Sequence, residues 1–166
     1  MVVVIKIASK KYQQNVNMQW YLKTFDQLSV YEFHNILKLR IGIFVVEQNC
    51  PYPELDDKDQ IAYHLFASPS NDSNEIVAYT RIFKPGDYYK EAAFGRVVVH
   101  QNFRKQNLGK QLINKTIEET YKLCGRTPIK IGGQTYLKKF YESFDFKQEG
   151  TGYIEDGIPH IYMIKK

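Results

Sequence analysis

The turn Arg104-Lys105-Gln106-Asn107-Leu108-Gly109-Lys110 is the stretch of this chain best equipped for chemistry. It follows an apolar run, Val97-Val98-Val99, and leads directly into residues with helical spacing. The first turn of a helix offers N–H groups without intrahelical partners, and its dipole adds about half a positive charge. Flanked by Arg104, Lys105 and Lys110, such a helix start is a seat for a phosphate group. Other reactive side chains are sparse. Cys50 and Cys124 form no CxxC pair and read as reduced thiols, with no neighbouring base in sequence to make Cys50 a nucleophile. Two isolated cysteines and four scattered histidines do not make a metal site, and none is expected.

The elements that must position this turn are marked in the sequence. Residues 92–99 read as a strand entering it, and a helix leaves it. Leu108, Leu112, Ile113, Thr116, Ile117, Thr120 and Cys124 lie on one face of that helix, which stops at Gly125 with Pro128 just beyond. Upstream, Ser29 and Glu32 form a capping box, with Leu28 and Phe33 as a hydrophobic staple. The apolar spacing after them predicts a helix as far as Glu47. The segment QNCPYPELDDKD then breaks the period as a loop. Strands over 61–67 and 76–83, joined by SPSNDSNE, form a hairpin. Beyond the central helix come a strand at 129–131, a helix carrying Leu137, Phe140, Tyr141 and Phe144, and strands near 150–153 and 161–164. Met18 opens a cleaner strand signal. Residues 1–17 read as an N-terminal extension, a loose arm or an added edge strand, and 18–166 as one domain. The order is α+β (mixed α/β): one strand–turn–helix–strand unit within a mostly antiparallel mixed sheet.

Composition narrows the function. At 166 residues and 43% apolar content the chain suits one domain with a substantial core. No run approaches the roughly 20 apolar residues of a membrane span, and the N-terminal VVVI is too short for a signal peptide. A cytoplasmic protein without membrane attachment is expected. The net charge of +5 is concentrated in Lys6–Lys11, Arg104–Lys110 and the Lys165-Lys166 tail, with acids interleaved elsewhere. That distribution argues against nucleic acid as the main partner.

Strand RVVV, turn RKQNLGK and helix LKKFYESFDF occur in an order that resembles the GNAT superfamily of N-acetyltransferases. The turn resembles that family's R/Q-x-x-G-x-G/A motif, and LKKFYESFDF its FYxxxGF helix. The segments FVVEQNCPYPELDDKD and EDGIPHIYM are similar to its ElaA-like branch. The likeness runs from about Met18 to the C-terminus. It implies a mixed sheet with helices on both faces and a splayed central strand pair. It also implies acetyl-coenzyme A as acyl donor, attacked directly by a primary amine of a small molecule or protein in a ternary complex. The backbones of Val97, Val98 and Val99 would bond the pantetheine arm and thioester. The turn Arg104, Lys105, Gln106, Asn107, Leu108, Gly109 and Lys110 would cradle the diphosphate. Tyr141 would act as general acid on the departing thiolate, which a phenol can protonate.

The family's first turn glycine is Asn107 here, and the glycine of its later helix is Asp145; both residue types tolerate positive φ. Asn107 could equally be a helix N-cap. For the base, Glu47, Glu155, Asp156, His64 and His160 are candidates, with Glu47 also bordering the acceptor cleft; a water chain is the alternative. Arg96 either pairs with a carboxylate of the acidic loop or holds an acidic acceptor. PELDDKD is either solvated or attracts a cationic acceptor. A rival reading is a non-catalytic acyl-coenzyme A sensor. Monomer and homodimer both remain open.

Overall fold

The computed structural model describes residues 17–70 and 75–166. The expected N-terminal arm, with its Lys6–Lys11 cluster, lies outside the described residues apart from Asn17.

Seven strands form one sheet in the order β1-β2-β3-β4-β5-β7-β6. They are β1 (Met18–Thr24), β2 (Tyr63–Pro69), β3 (Ala78–Phe83), β4 (Ala92–Val99), β5 (Ile129–Gln134), β6 (Lys147–Glu155) and β7 (Ile158–Lys165). Every neighbouring pair is antiparallel except β4 and β5. A parallel pair needs a long crossover, and helix α2 (Leu108–Cys124) supplies it. The expected hairpin forms between β2 and β3. β5 runs on through Gly132-Gly133, three residues beyond its expected end.

Helix α1 (Val30–Arg40) starts as its capping box dictates: Ser29 Oγ accepts from the Glu32 N–H at 3.2 Å, and Glu32 Oε2 accepts from the Ser29 N–H at 2.8 Å. The expected single helix to Glu47 changes character after Arg40. Ile41–Glu47 is π-helical, a form that concentrates at functional sites. A glycine and four β-branched residues in Ile-Gly-Ile-Phe-Val-Val-Glu weaken the α-helical preference there. At the other end of the fold, α2 stops where expected, at Gly125 with φ 73°. Helix α3 (Lys138–Glu142) follows a 3-10 turn and ends near Asp145, whose φ of 66° is the left-handed conformation anticipated for it.

The sheet is packed on both faces. On one, Leu108, Leu112 and Ile113 of α2 bury against Phe94, Ile129, Ile131, Phe146 and Met163, with Tyr141 and Phe144 completing the cluster. On the other, Ile36 and Leu39 of α1 pack on Phe66, Tyr79 and Val98. A small third cluster of Ala62, Phe83 and Ala93 carries Tyr89. Burying side chains this size stabilises the fold by about 1.5–3 kcal/mol each, and it holds β4 rigidly between the two layers.

Candidate active site

β4 and β5 pair at only two positions, Ala92 with Ile129 and Ala93 with Lys130. Beyond Ala93 the strands part. The backbone groups of β4 that face β5 therefore leave the ladder and are available to another partner. Residues 93–99 on one side and 131–134 on the other line a cavity of about 810 Å³. A bulge between β3 and β4 contributes to this divergence. Tyr79 pairs with Val98 while Arg81 pairs with Gly95, so Thr80 faces two residues. Thr80 Oγ1 donates to the Gly95 carbonyl at 2.9 Å, and Arg96 adopts a left-handed φ of 54°. Bulges of this kind re-aim a side chain.

The basic turn starts at the cavity, whose wall includes Arg104. Arg104 to Asn107 are exposed, and Lys105 and Asn107 have φ of 62° and 64°. Left-handed positions of this kind occur in the backbone concavities that hold anions. Asn107 makes no side-chain cap, so it serves the turn through its positive φ. At Gly109 an added Cβ would meet nothing closer than Phe140 Cζ at 3.9 Å, so packing within the chain does not demand glycine there. Leu108 is buried; Gln106 bonds back to the Asn102 carbonyl at 3.0 Å; Lys110 is exposed. Arg104 is more constrained. Its Nε donates to the Val99 carbonyl at 3.0 Å, and its two terminal nitrogens hold Glu47 at 2.7 and 3.1 Å. Arg104 and Glu47, assigned separate roles by sequence, thus form one ion pair at the cavity wall.

Tyr141 is 5% exposed and lines the cavity from the α3 side. A Cβ on Gly133 would lie 3.1 Å from its ring, so the Gly132-Gly133 step lets the tyrosine sit against β5. Burial, with a smaller contribution from Tyr136, pushes its phenol well above the ordinary value. It is a protonated donor at neutral pH.

Of the other candidates, Glu155, Asp156 and His160 line the same cavity and His64 does not. His64 is fully buried between the Tyr79 hydroxyl at 2.8 Å and the Asp59 carbonyl at 2.9 Å, which makes it a structural residue. Asp156 and Gly157 form the two-residue turn between β6 and β7, with φ of 49° and 77°. His160 lies in the cavity wall, stacked on Tyr153 with centroids 5.6 Å apart. Its Nδ1 stands 2.8 Å from the Ile158 carbonyl. A carbonyl only accepts, so Nδ1 is the donor in this contact.

The acidic loop is largely neutralised. Arg40 reaches Glu54 and Asp59, each at 2.6 Å. Arg81 grips both oxygens of Asp56 at 2.6 and 2.8 Å and touches Asp59 at 3.1 Å. Arg96 bonds Glu54 at 2.8 Å, the carboxylate pairing that was one of its two expected roles, and Tyr52 donates to the same carboxylate. Burial alone would raise the Asp56 carboxyl, but the Arg81 hydrogen bonds and the fields of Arg81 and Arg96 hold it well below the usual range. Three arginines thus answer three acids. Neither a solvated loop nor free negative charge for a cationic acceptor describes Glu54, Asp56 and Asp59. Sequence reading missed Arg40 and Arg81 because their partners lie 14 to 25 positions away. It also missed a row of tyrosines, Tyr88, Tyr89, Tyr153 and Tyr162, that lines the cavity with His160. The one signal for them was the chain's 13 tyrosines.

A splayed parallel pair, a basic turn leading into α2 and a buried phenol in the cavity wall agree with what comparison finds. Residues 46–166 match the acetyltransferase (GNAT) domain family. The chain belongs to the GNAT superfamily. Within it, the chain is 38% identical to protein ElaA of Escherichia coli over 151 residues, 90% of this chain and 97% of that one. The crystal structure of Escherichia coli ElaA superposes with a TM-score of 0.83 at 36% identity, covering 90% of this chain and all of that one. An acyl-CoA N-acyltransferase from Pseudomonas aeruginosa superposes at 0.85 with 33% identity and the same coverage. This GNAT member therefore lies on the ElaA-like branch and has the acyl-CoA N-acyltransferase fold. An aminoglycoside 6'-N-acetyltransferase complexed with coenzyme A, at 17% identity and TM-score 0.62, shares the fold alone.

Proposed function

We propose that the protein is an N-acetyltransferase that moves an acetyl group from acetyl-coenzyme A directly to a primary amine. The observation that carries this reading is the two-pair contact between β4 and β5, which opens a backbone-lined notch beside a buried phenol. The residues fit such a donor. Backbone N–H groups of the 105–110 turn and the α2 N-terminus take the diphosphate, and Gly109 leaves room for close approach. Backbone groups of Val97 and the Val99 N–H, on the side of β4 turned away from β3, take the pantetheine arm and polarise the thioester carbonyl, as in any oxyanion site.

In the reaction the amine nitrogen attacks the thioester carbon, a C–N bond forms and the C–S bond breaks. Tyr141 donates its proton to the departing sulfur, and the proton lost by nitrogen goes to His160 Nε2, directly or through water. Glu47 is held by Arg104 and serves to position that arginine at the donor turn.

The test is Tyr141→Phe, which keeps the ring and removes the proton. Thiol release should fall about a hundredfold, in line with general acid catalysis, while acetyl-coenzyme A affinity by calorimetry stays within twofold. Tight donor binding with no thiol release from any amine, in the unaltered protein, would instead make it a sensor of the donor.

A further inference from the structure

Among the described residues, the charged side chains around the cavity are paired with two exceptions. Glu47 is matched by Arg104, and Asp56 by Arg81 and Arg96, with Lys58 at 3.8 Å. Glu155 and Asp156, at the β6–β7 turn, line the same cavity, and among the described residues neither makes an ion pair. The tyrosine row leads to this turn. Tyr153 Oη would lie 2.6 Å, and Tyr89 Oη 3.6 Å, from a Cβ at position 132. The glycine therefore lets two phenol hydroxyls converge over the strand. Tyr153 Oη is also 3.5 Å from Glu155 Oε2. Burial chiefly, and after it neighbouring groups that include Glu155, raises both phenols, so they stay neutral.

The rings offer little flat surface. Tyr153 is stacked on Tyr162 at 4.5 Å and on His160 at 5.6 Å. Lys130 covers Tyr89 and Tyr162 at 5.5 and 5.0 Å, and its charge is answered by Glu149 at 2.7 Å. The faces of Tyr153 and Tyr162 are thus taken up by each other, by His160 and by Lys130. What the wall presents is hydroxyl oxygens beside an uncompensated carboxylate, which is a receptor for N–H donors that carry positive charge.

We infer that the acceptor is a diamine, its reacting amine at the notch and its second, protonated amine held by Tyr89, Tyr153 and Glu155. This rests on the acetyltransferase reading and specifies its substrate class. Gly132 is the specificity-determining residue that admits Tyr153.

The experiment compares acetyl-coenzyme A turnover with 1,4-diaminobutane, 4-aminobutan-1-ol, butylamine and 4-aminobutanoate, together with diamines of three, five and six carbons. The best diamine should exceed butylamine at least tenfold in kcat/KM, with the alcohol between them and the amino acid poorest. Glu155→Gln should reduce the diamine preference to below threefold, and Gly132→Ala should raise the diamine KM at least fivefold, with acetyl-coenzyme A affinity in both variants reporting an intact fold. Equal use of diamine and butylamine, or preference for 4-aminobutanoate, overturns the inference while leaving the acetyltransferase reading intact. No thiol release with any amine overturns both.

Discussion

Along β4 and the turn that follows it, the proposed donor site is made of backbone groups from residues contiguous in sequence, whereas the wall facing it is made of side chains from distant segments. The first region depends on where strands part and a helix begins, so it tolerates changes of side chain. Asn107 and Asp145 stand where the family has glycine, and both take the left-handed conformation required. The second region depends on identity at each position. Arg40, Glu54, Asp59 and Arg81 are each less than 5% exposed, and each carboxylate is buried only because a guanidinium reaches it. A backbone-built site and a side-chain-built wall should therefore fail in different ways.

The largest effect is expected in the arginine network. Arg40→Met leaves Glu54 and Asp59 short of a partner in the interior, and breaking a buried pair in this way costs about 3–5 kcal/mol. Urea denaturation should show that loss. A change below 1 kcal/mol would mean that water reaches these carboxylates and that the wall is less dependent on pairing than its burial implies.

Next is Gly133→Ala, which acts on the join between the two regions. Its Cβ would lie 3.1 Å from the Tyr141 ring, so the ring must yield by a few tenths of an ångström. Misplacing a catalytic group slightly is costly, and kcat for thiol release should fall at least tenfold with acetyl-coenzyme A affinity within threefold. If donor affinity collapses as well, β5 contributes to the donor notch more than β4 does, and the contrast between the two regions weakens.

How much of this was legible in sequence follows the same division. Strand 92–99, helix 108–124 with its Gly125 stop and the Ser29 capping box are local patterns, and each appears where expected. The π-helical segment was hidden because its apolar spacing continues that of α1. The arginine pairs and the tyrosine row were hidden for another reason. Whether Arg40 meets Glu54 depends on the path of a loop, which no periodicity encodes. Arg96 was visible as a charge within an apolar strand, yet its partner became definite only with the fold.

Acidity should separate the regions further. Burial, aided by the fields of Arg40 and Arg81 and opposed by Asp59, lowers the pKa of His64. The unfolded chain then binds a proton below its ordinary value of about 6.5 while the folded one does not. Stability contributed this way is full above that pH and is lost as pH falls below it. His100, lowered chiefly by burial, acts in the same direction. Stability measured from pH 7.5 to 5 should therefore decline on the acid side, and His64→Gln should reduce that slope. An unchanged slope would transfer the effect to His100 and remove His64 from the acid response of the wall.

The smallest effect is expected at the donor turn. Asn107 holds φ 64° without a side-chain cap, so Asn107→Gly relieves a left-handed asparagine and adds freedom to the unfolded chain. These contributions oppose each other, and stability should shift by less than about 1 kcal/mol. Acetyl-coenzyme A affinity should stay within twofold, because the substitution leaves every backbone N–H of the turn in place. A large loss of affinity would show that the asparagine side chain itself meets the donor, and the turn would then belong with the side-chain-built wall.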